Sequence, residues 1–220
     1  RWLLASGLLL LVACATPESL IKNNVSILQG SFANASGVIL SGGRTILTAR
    51  HVVEDGVSDF FTVIAYDGTA VITSIKELGR VIDVATLQAG GVLRYDGLQV
   101  DCRRPHLGEK LKLLANVGAV NSAFISAEVI SLSPLDKRLT PLANVIVLAV
   151  PAFNRASGGG LLDKAGNVVG IFVAIHIWYF DGVDVTFTGL GFAVPMDLIC
   201  AEFGWSTEPW VFKNADTITE

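Results

Sequence analysis

Beyond residue 24 the chain alternates short β-rich runs with turn signals. The runs fall at 25–32, 37–41, 44–48, 60–66, 70–75, 84–88, 110–116, 124–131, 145–150, 160–162, 168–177 and 185–194. Their Val, Ile, Thr and aromatic residues suit a pleated, half-buried surface. Between them, Asp67-Gly68, Gly90-Gly91, Asp96-Gly97, Ala165-Gly166-Asn167 and Asp181-Gly182 supply the positive φ angles of tight connections. Only 51–55 and the segment after Pro195 read as helical. Without interleaved helices there is no basis for a parallel sheet, so the strands should be antiparallel, in a sandwich or in closed barrels. A dozen strands is more than one small barrel needs. The pattern therefore predicts an all-β fold of two packed antiparallel six-stranded barrels, roughly 25–100 and 107–196, meeting near 99–108, with a short C-terminal helix. The polar stretch 207–220, with Trp210 and Phe212, reads as a tail.

The N-terminal segment has a different character. Arg1 is followed by an uncharged run from Trp2 to Cys14. Crossing a bilayer takes about 20 apolar residues, so this run is short for a span, whereas a basic start and an apolar middle fit an export signal. Its end, Leu11-Val12-Ala13-Cys14, resembles the bacterial lipobox. On that reading 1–13 is a signal peptide, Cys14 carries a lipid anchor, 14–24 is a tether, and the protein is exported to the bacterial envelope or periplasm. An ordinary signal peptide with an incidental cysteine is the alternative. Export would place Cys102 and Cys200 in an oxidising compartment. Two cysteines so far apart carry no geometric information, and free buried cysteines are common, so their pairing stays open.

Composition narrows the function classes. With 51% apolar and 16% charged residues among 220, the chain can build a substantial core and is not disordered. Sixteen Lys and Arg face 20 Asp and Glu, a net charge of −4, and no basic cluster exists to displace counterions from a phosphate backbone. Nucleic acid is thereby excluded as a partner. No Cys-x-x-Cys or Cys/His cluster is present, so no metal and no cofactor are expected.

Three short motifs carry candidate chemistry. His51, in Thr48-Ala49-Arg50-His51-Val52-Val53, sits where a strand runs into a helical turn, a rigid place from which a base can reach a substrate. The other two histidines are less well placed: His106 lies in the predicted interdomain loop, and His176 ends an apolar strand and reads as exposed. Asp83 stands at the mouth of the apolar strand Val84-Ala85-Thr86-Leu87, where a carboxylate can orient an imidazole. Ser157 precedes Gly158-Gly159-Gly160, and glycines there let the backbone approach a ligand closely.

In this order, on an all-β chain, the motifs resemble those of the chymotrypsin-like serine peptidases, and most of all the HtrA (Deg) branch. Thr48-Ala49-Arg50-His51-Val52-Val53 looks like that branch's T-N-x-H-V-V, and Asp83-Val84-Ala85-Thr86-Leu87 like its D-x-A-x-L. Ser157-Gly158-Gly159 followed by Gly166-Asn167-Val168-Val169-Gly170-Ile171 looks like its S-G-G-P-L and G-x-V-I-G-I, and Gly191-Phe192-Ala193-Val194-Pro195 like its closing G-F-A-I-P. The resemblance covers about 30–203. It implies the chymotrypsin-like double barrel and one protease domain over 25–206. The 17 residues after Phe203 leave no room for the PDZ domain that many members carry.

The resemblance further implies a serine endopeptidase acting on extended or unfolded polypeptides. Ser157 would be the nucleophile, His51 the base, Asp83 the orienting acid, and the N–H groups of Arg155 and Ser157 the oxyanion hole. Pro151, six residues before the serine, Phe153 and the strand Phe172, Val173, Ala174 and Ile175 would line a specificity pocket for small or medium apolar side chains. That strand would also pair with the peptide. One departure matters. The family has glycine where this chain has Arg155, and a residue with a Cβ resists the positive φ that aims the N–H inward. This predicts a bias toward a flipped, inactive loop and keeps open a second reading, a catalytically impaired peptide-binding module. Oligomeric state is not legible.

Overall fold

The structure is a computed structural model and describes residues 16–29, 32–54, 59–133, 144–152, 154–180 and 184–206. Twelve strands close into two antiparallel barrels, one ordered β1-β2-β3-β6-β5-β4 and the other β10-β11-β12-β9-β8-β7. The first contains β1 (Asn24–Gln29), β2 (Phe32–Ile39), β3 (Thr45–Thr48), β4 (Phe60–Ile64), β5 (Ala70–Leu78) and β6 (Ala85–Ala89). The second contains β7 (Lys110–Val117), β8 (Val120–Ser131), β9 (Ile146–Ala149), β10 (Gly160–Leu162), β11 (Val168–Phe180) and β12 (Asp184–Pro195). Three short helices accompany them: α1 (Pro17–Ile21), α2 (His51–Glu54) and α3 (Met196–Phe203), the last ended by Gly204 at φ +67°.

The predicted architecture is therefore the observed one, a chymotrypsin-like double barrel with a short C-terminal helix. Strand boundaries differ most at the first hairpin. The sequence reads one strand through 25–32, but β1 ends at Gln29 and β2 begins at Phe32. β2 thus starts five residues before the predicted 37–41. The stretch read as a tether is folded from Thr16 onward. Thr16 caps α1, Leu20 and Ile21 pack on the core, and the Asn23 side chain accepts the Gly97 N–H at 3.0 Å. The proposed anchor Cys14, the tail 207–220 and Phe153 lie outside the described residues.

All four residues of β3 are buried. The interface between the barrels is not wholly apolar. Asn24 on β1, Asn116 on β7 and Ser122 form a buried cluster in which Asn24 Nδ2 donates to Asn116 Oδ1 at 2.9 Å and to Ser122 Oγ at 3.0 Å. Asn116 Nδ2 in turn donates to the carbonyls of Val25 and Ala35. Such a network fixes register as well as distance, since each donor is satisfied in one arrangement only.

The linker between barrels is pinned along its length. Leu40 bridges to Leu98 and Val100 to Val168. Arg103 forks onto Glu109 at 2.9 and 2.6 Å, and this hydrogen bond holds the Glu109 carboxyl below its usual range. Cys102 is disulfide-bonded to Cys200 of α3, with Cα atoms 5.8 Å apart. The pairing that sequence left open is thus present, and it closes a loop of 98 residues. Constraining an unfolded loop of that length stabilises the fold by about 4–5 kcal/mol in the chain-entropy picture. Urea unfolding with and without reductant should show a loss of that order, and a loss under 1 kcal/mol would contradict this role.

Candidate active site

The histidine and the aspartate come from the same end of an antiparallel strand pair in the first barrel. β3 pairs with β6, Thr48 opposite Ala85. This puts α2, which follows β3, beside Asp83, which precedes β6. Asp83 engages His51 twice: its Oδ1 accepts the backbone N–H at 2.9 Å, and its Oδ2 meets Nδ1 at 2.7 Å. The Asp83 side chain is 12% exposed and that of His51 46%, so the carboxylate is screened while the ring keeps one face open. A carboxylate at Nδ1 makes that nitrogen the donor, so the neutral ring carries its lone pair on Nε2.

The serine loop lies against β2 and β11. The Ser36 N–H donates to the Ser157 carbonyl at 2.8 Å, and the Gly158 N–H donates to Phe172 O at 2.8 Å. Gly158, at φ +87°, fits so closely that a Cβ would stand 2.0 Å from Ser36 O and 2.3 Å from Thr48 Oγ1. The loop is therefore seated against Thr48, three residues before His51 in the chain. Ser157 Oγ donates to Val173 O at 3.3 Å.

Arg155 departs from the expected bias. It holds φ +79°, in the left-handed region that its Cβ disfavours. Four carbonyls of the loop have donors: Asn154 O takes Gly118 N–H at 3.2 Å, Ala156 O takes Gly159 N–H at 2.9 Å, Ser157 O takes Ser36 N–H, and Arg155 O takes Ser36 Oγ at 2.7 Å. In a trans peptide the N–H points opposite to its carbonyl. The anchored Asn154 O and Ala156 O thus turn the N–H groups of Arg155 and Ser157 away from Gly118 and Gly159, respectively.

Of the predicted substrate-lining residues, Pro151 is exposed and Ala174 and Ile175 are half-buried. Phe172 and Val173 differ from expectation: at 1% and 2% exposed, their side chains belong to the core. The Phe172 ring fills the space over Gly191, where a Cβ would meet its Cε2 at 2.4 Å. The Phe172 backbone is also engaged, its N–H donating to Gly159 O and its carbonyl accepting from Gly158 N–H, both at 2.8 Å. β11 pairs with β12 along 170–180 but with β10 only along 168–171, and among the described residues no strand pairs with its second edge from Val173 onward.

His106 lies in the linker, with Nδ1 against Leu107 O and Nε2 3.6 Å from Glu109. His176, expected to be exposed, is half-buried, meeting Thr188 Oγ1 at 3.1 Å and the Phe192 ring edge-on. Among the described residues no cluster of three or more His, Cys, Asp or Glu side chains could hold a metal. Sequence reasoning missed Ser36, Thr48 and Asn116, all fully buried and all touching or supporting the serine loop. The available signal was a polar residue at an inward strand position, which is weak on its own.

Comparison with known proteins gives a consistent picture. The trypsin-like peptidase domain family matches residues 35–171, a segment that contains His51, Asp83 and Ser157. No curated protein sequence matches the chain. Among solved structures it is similar to the Rv3671c protease in its inactive form, at 19% identity and a TM-score of 0.66 over 85% of this chain and 90% of that one. It is similar to the HtrA-type protease AlgW with a decapeptide, at 19% identity and a TM-score of 0.65 over 80% of this chain and 61% of that one. A serine endoprotease from Yersinia pestis is similar at 19% identity and a TM-score of 0.65, over 86% of this chain and 66% of that one. At such identities these likenesses establish the fold.

Proposed function

The chain belongs to the trypsin-like peptidase domain family, and from that premise we propose that it is a serine endopeptidase working through His51, Asp83 and Ser157. The observation that carries the reading is the pair of hydrogen bonds between Asp83 and His51, within the family-matched segment that also contains Ser157. Rotation of Ser157 about χ1 exchanges Val173 O for His51 Nε2. The hydroxyl then attacks a peptide carbonyl while His51 takes its proton, and the imidazolium is stabilised by Asp83. The N–H groups of Arg155 and Ser157 receive the oxyanion; losing one such donor typically costs about 2.7–4 kcal/mol of transition-state stabilisation. Collapse of the tetrahedral intermediate passes the proton to the leaving amine, and water then hydrolyses the acyl-enzyme.

The substrate is an extended polypeptide laid along the open edge of β11, where residues 173–175 offer backbone hydrogen bonds. The decapeptide in the HtrA-type structure supports this class of ligand. The buried Phe172 ring over Gly191 favours a small side chain at the cleaved position. The disulfide supports an oxidising compartment, in keeping with export and a lipid anchor at Cys14 in the bacterial envelope.

A fluorophosphonate probe tests the assignment. The wild-type chain should label, and Ser157→Ala should not. A wild type that stays unlabelled yet captures an extended peptide would mean a peptide-binding module instead.

A further inference from the structure

We infer that the Arg155 guanidinium is a positioning group that holds its own backbone in the left-handed conformation, by tethering it to the tip of the hairpin between β7 and β8. This rests on the peptidase reading for its consequence but not for its geometry. The side chain reaches across to that tip, where Nη1 donates to Gly118 O and Nη2 donates to Asn121 Oδ1 at 3.0 Å. The same tip grips the adjoining backbone, since the Gly118 N–H donates to Asn154 O. Gly118 thus gives its N–H to the 154–155 peptide and its carbonyl to the Arg155 side chain. The two bonds close a small ring through the residue whose φ is unfavourable. Ser36 Oγ fixes the other side of the residue by donating to Arg155 O, and is itself held by the Asn116 N–H at 2.8 Å.

A planar fork with several fixed donors suits this task, because two acceptors set its orientation as well as its distance. The chain thereby does with an arginine what glycine does by having no side chain. The conformational penalty of the Cβ is offset by the bonds that Arg155 makes in this arrangement.

The test compares two residues that both lack the tether. Alanine retains the Cβ and glycine does not. Arg155→Ala should lower kcat on a peptide substrate about tenfold with KM little changed, because the open edge of β11 is untouched. Arg155→Gly should exceed the alanine variant in kcat by at least fivefold. Asn121→Ala, at an exposed position outside the machinery, removes one acceptor and should cost two- to fivefold. Hydrogen exchange supplies a readout that needs no turnover. The Gly118 amide should exchange at least tenfold faster in Arg155→Ala than in wild type, and Arg155→Gly should lie between them. Equal kcat in the alanine and glycine variants, or an unchanged Gly118 amide in Arg155→Ala, would overturn the tether. A wild type that neither labels nor cleaves removes the peptidase reading alone, and the exchange result still decides this one.

Discussion

Replacing Asp83 by asparagine should lower kcat about 10⁴-fold while leaving the fold intact, the size of loss seen when a Ser-His-Asp site is forced into the wrong tautomer. The reason lies in the two-point grip. One oxygen of Asp83 accepts the His51 backbone N–H and the other faces Nδ1. A backbone N–H can only donate, so asparagine must keep its carbonyl oxygen there and turn its NH₂ toward the ring. Nδ1 then has to accept, the proton moves to Nε2, and the base can no longer take the Ser157 proton. A single-point contact would let the amide flip and rescue the tautomer; the second bond prevents that. Steady-state turnover with a thermal melt as control checks this. A loss under tenfold with an unchanged melt would show that Asp83 does not set the tautomer.

Gly158→Ala should cost both stability and activity. The residue sits at φ +87°, and an added Cβ would lie 2.0 Å from Ser36 O and 2.3 Å from Thr48 Oγ1. Neither atom can give way cheaply, because Thr48 Oγ1 donates to Ser36 O at 2.8 Å inside the interface. The left-handed conformation alone costs about 1–2 kcal/mol and overpacking typically another 1–3 kcal/mol, so a total of about 2–5 kcal/mol is expected. Relief by shifting the loop about 1 Å would misplace Ser157 and cost on the order of 10²-fold in kcat. Gly68→Ala provides the comparison. It shares the backbone region at φ +83°, but nothing lies within 4 Å of its Cβ position, so only the conformational part should appear. Equal unfolding free energies for the two variants would refute the crowding argument.

Legibility in the sequence followed the range of the interactions. The strands were readable because period-two patterns and Gly-containing turns are local, and the end of β1 was missed because Phe32 has the same strand preference as the residues before Gln29. Helix α3 was readable from the apolar stretch after Pro195. His51 and Asp83 stood out at strand ends, where a polar residue interrupts an apolar pattern. Ser36 and Asn116 did not, because a serine or asparagine in a strand has no local mark that distinguishes a buried clamp from a surface residue. Phe172 was misread for a related reason: alternation says which side a residue takes, but not whether that side is pocket or core.

What the sequence determined by itself was an all-β body of two barrels and the three residue types able to run acyl transfer, since both follow from short-range pattern and motif order. Tertiary structure alone decided that Cys102 reaches Cys200, that Ser36 holds the serine loop, and that Arg155 adopts φ +79°. Each of those depends on groups many tens of residues apart meeting within a few ångströms. The intrinsic preference of Arg155 pointed the other way, and hydrogen bonds from a distant hairpin and a distant strand outweighed it.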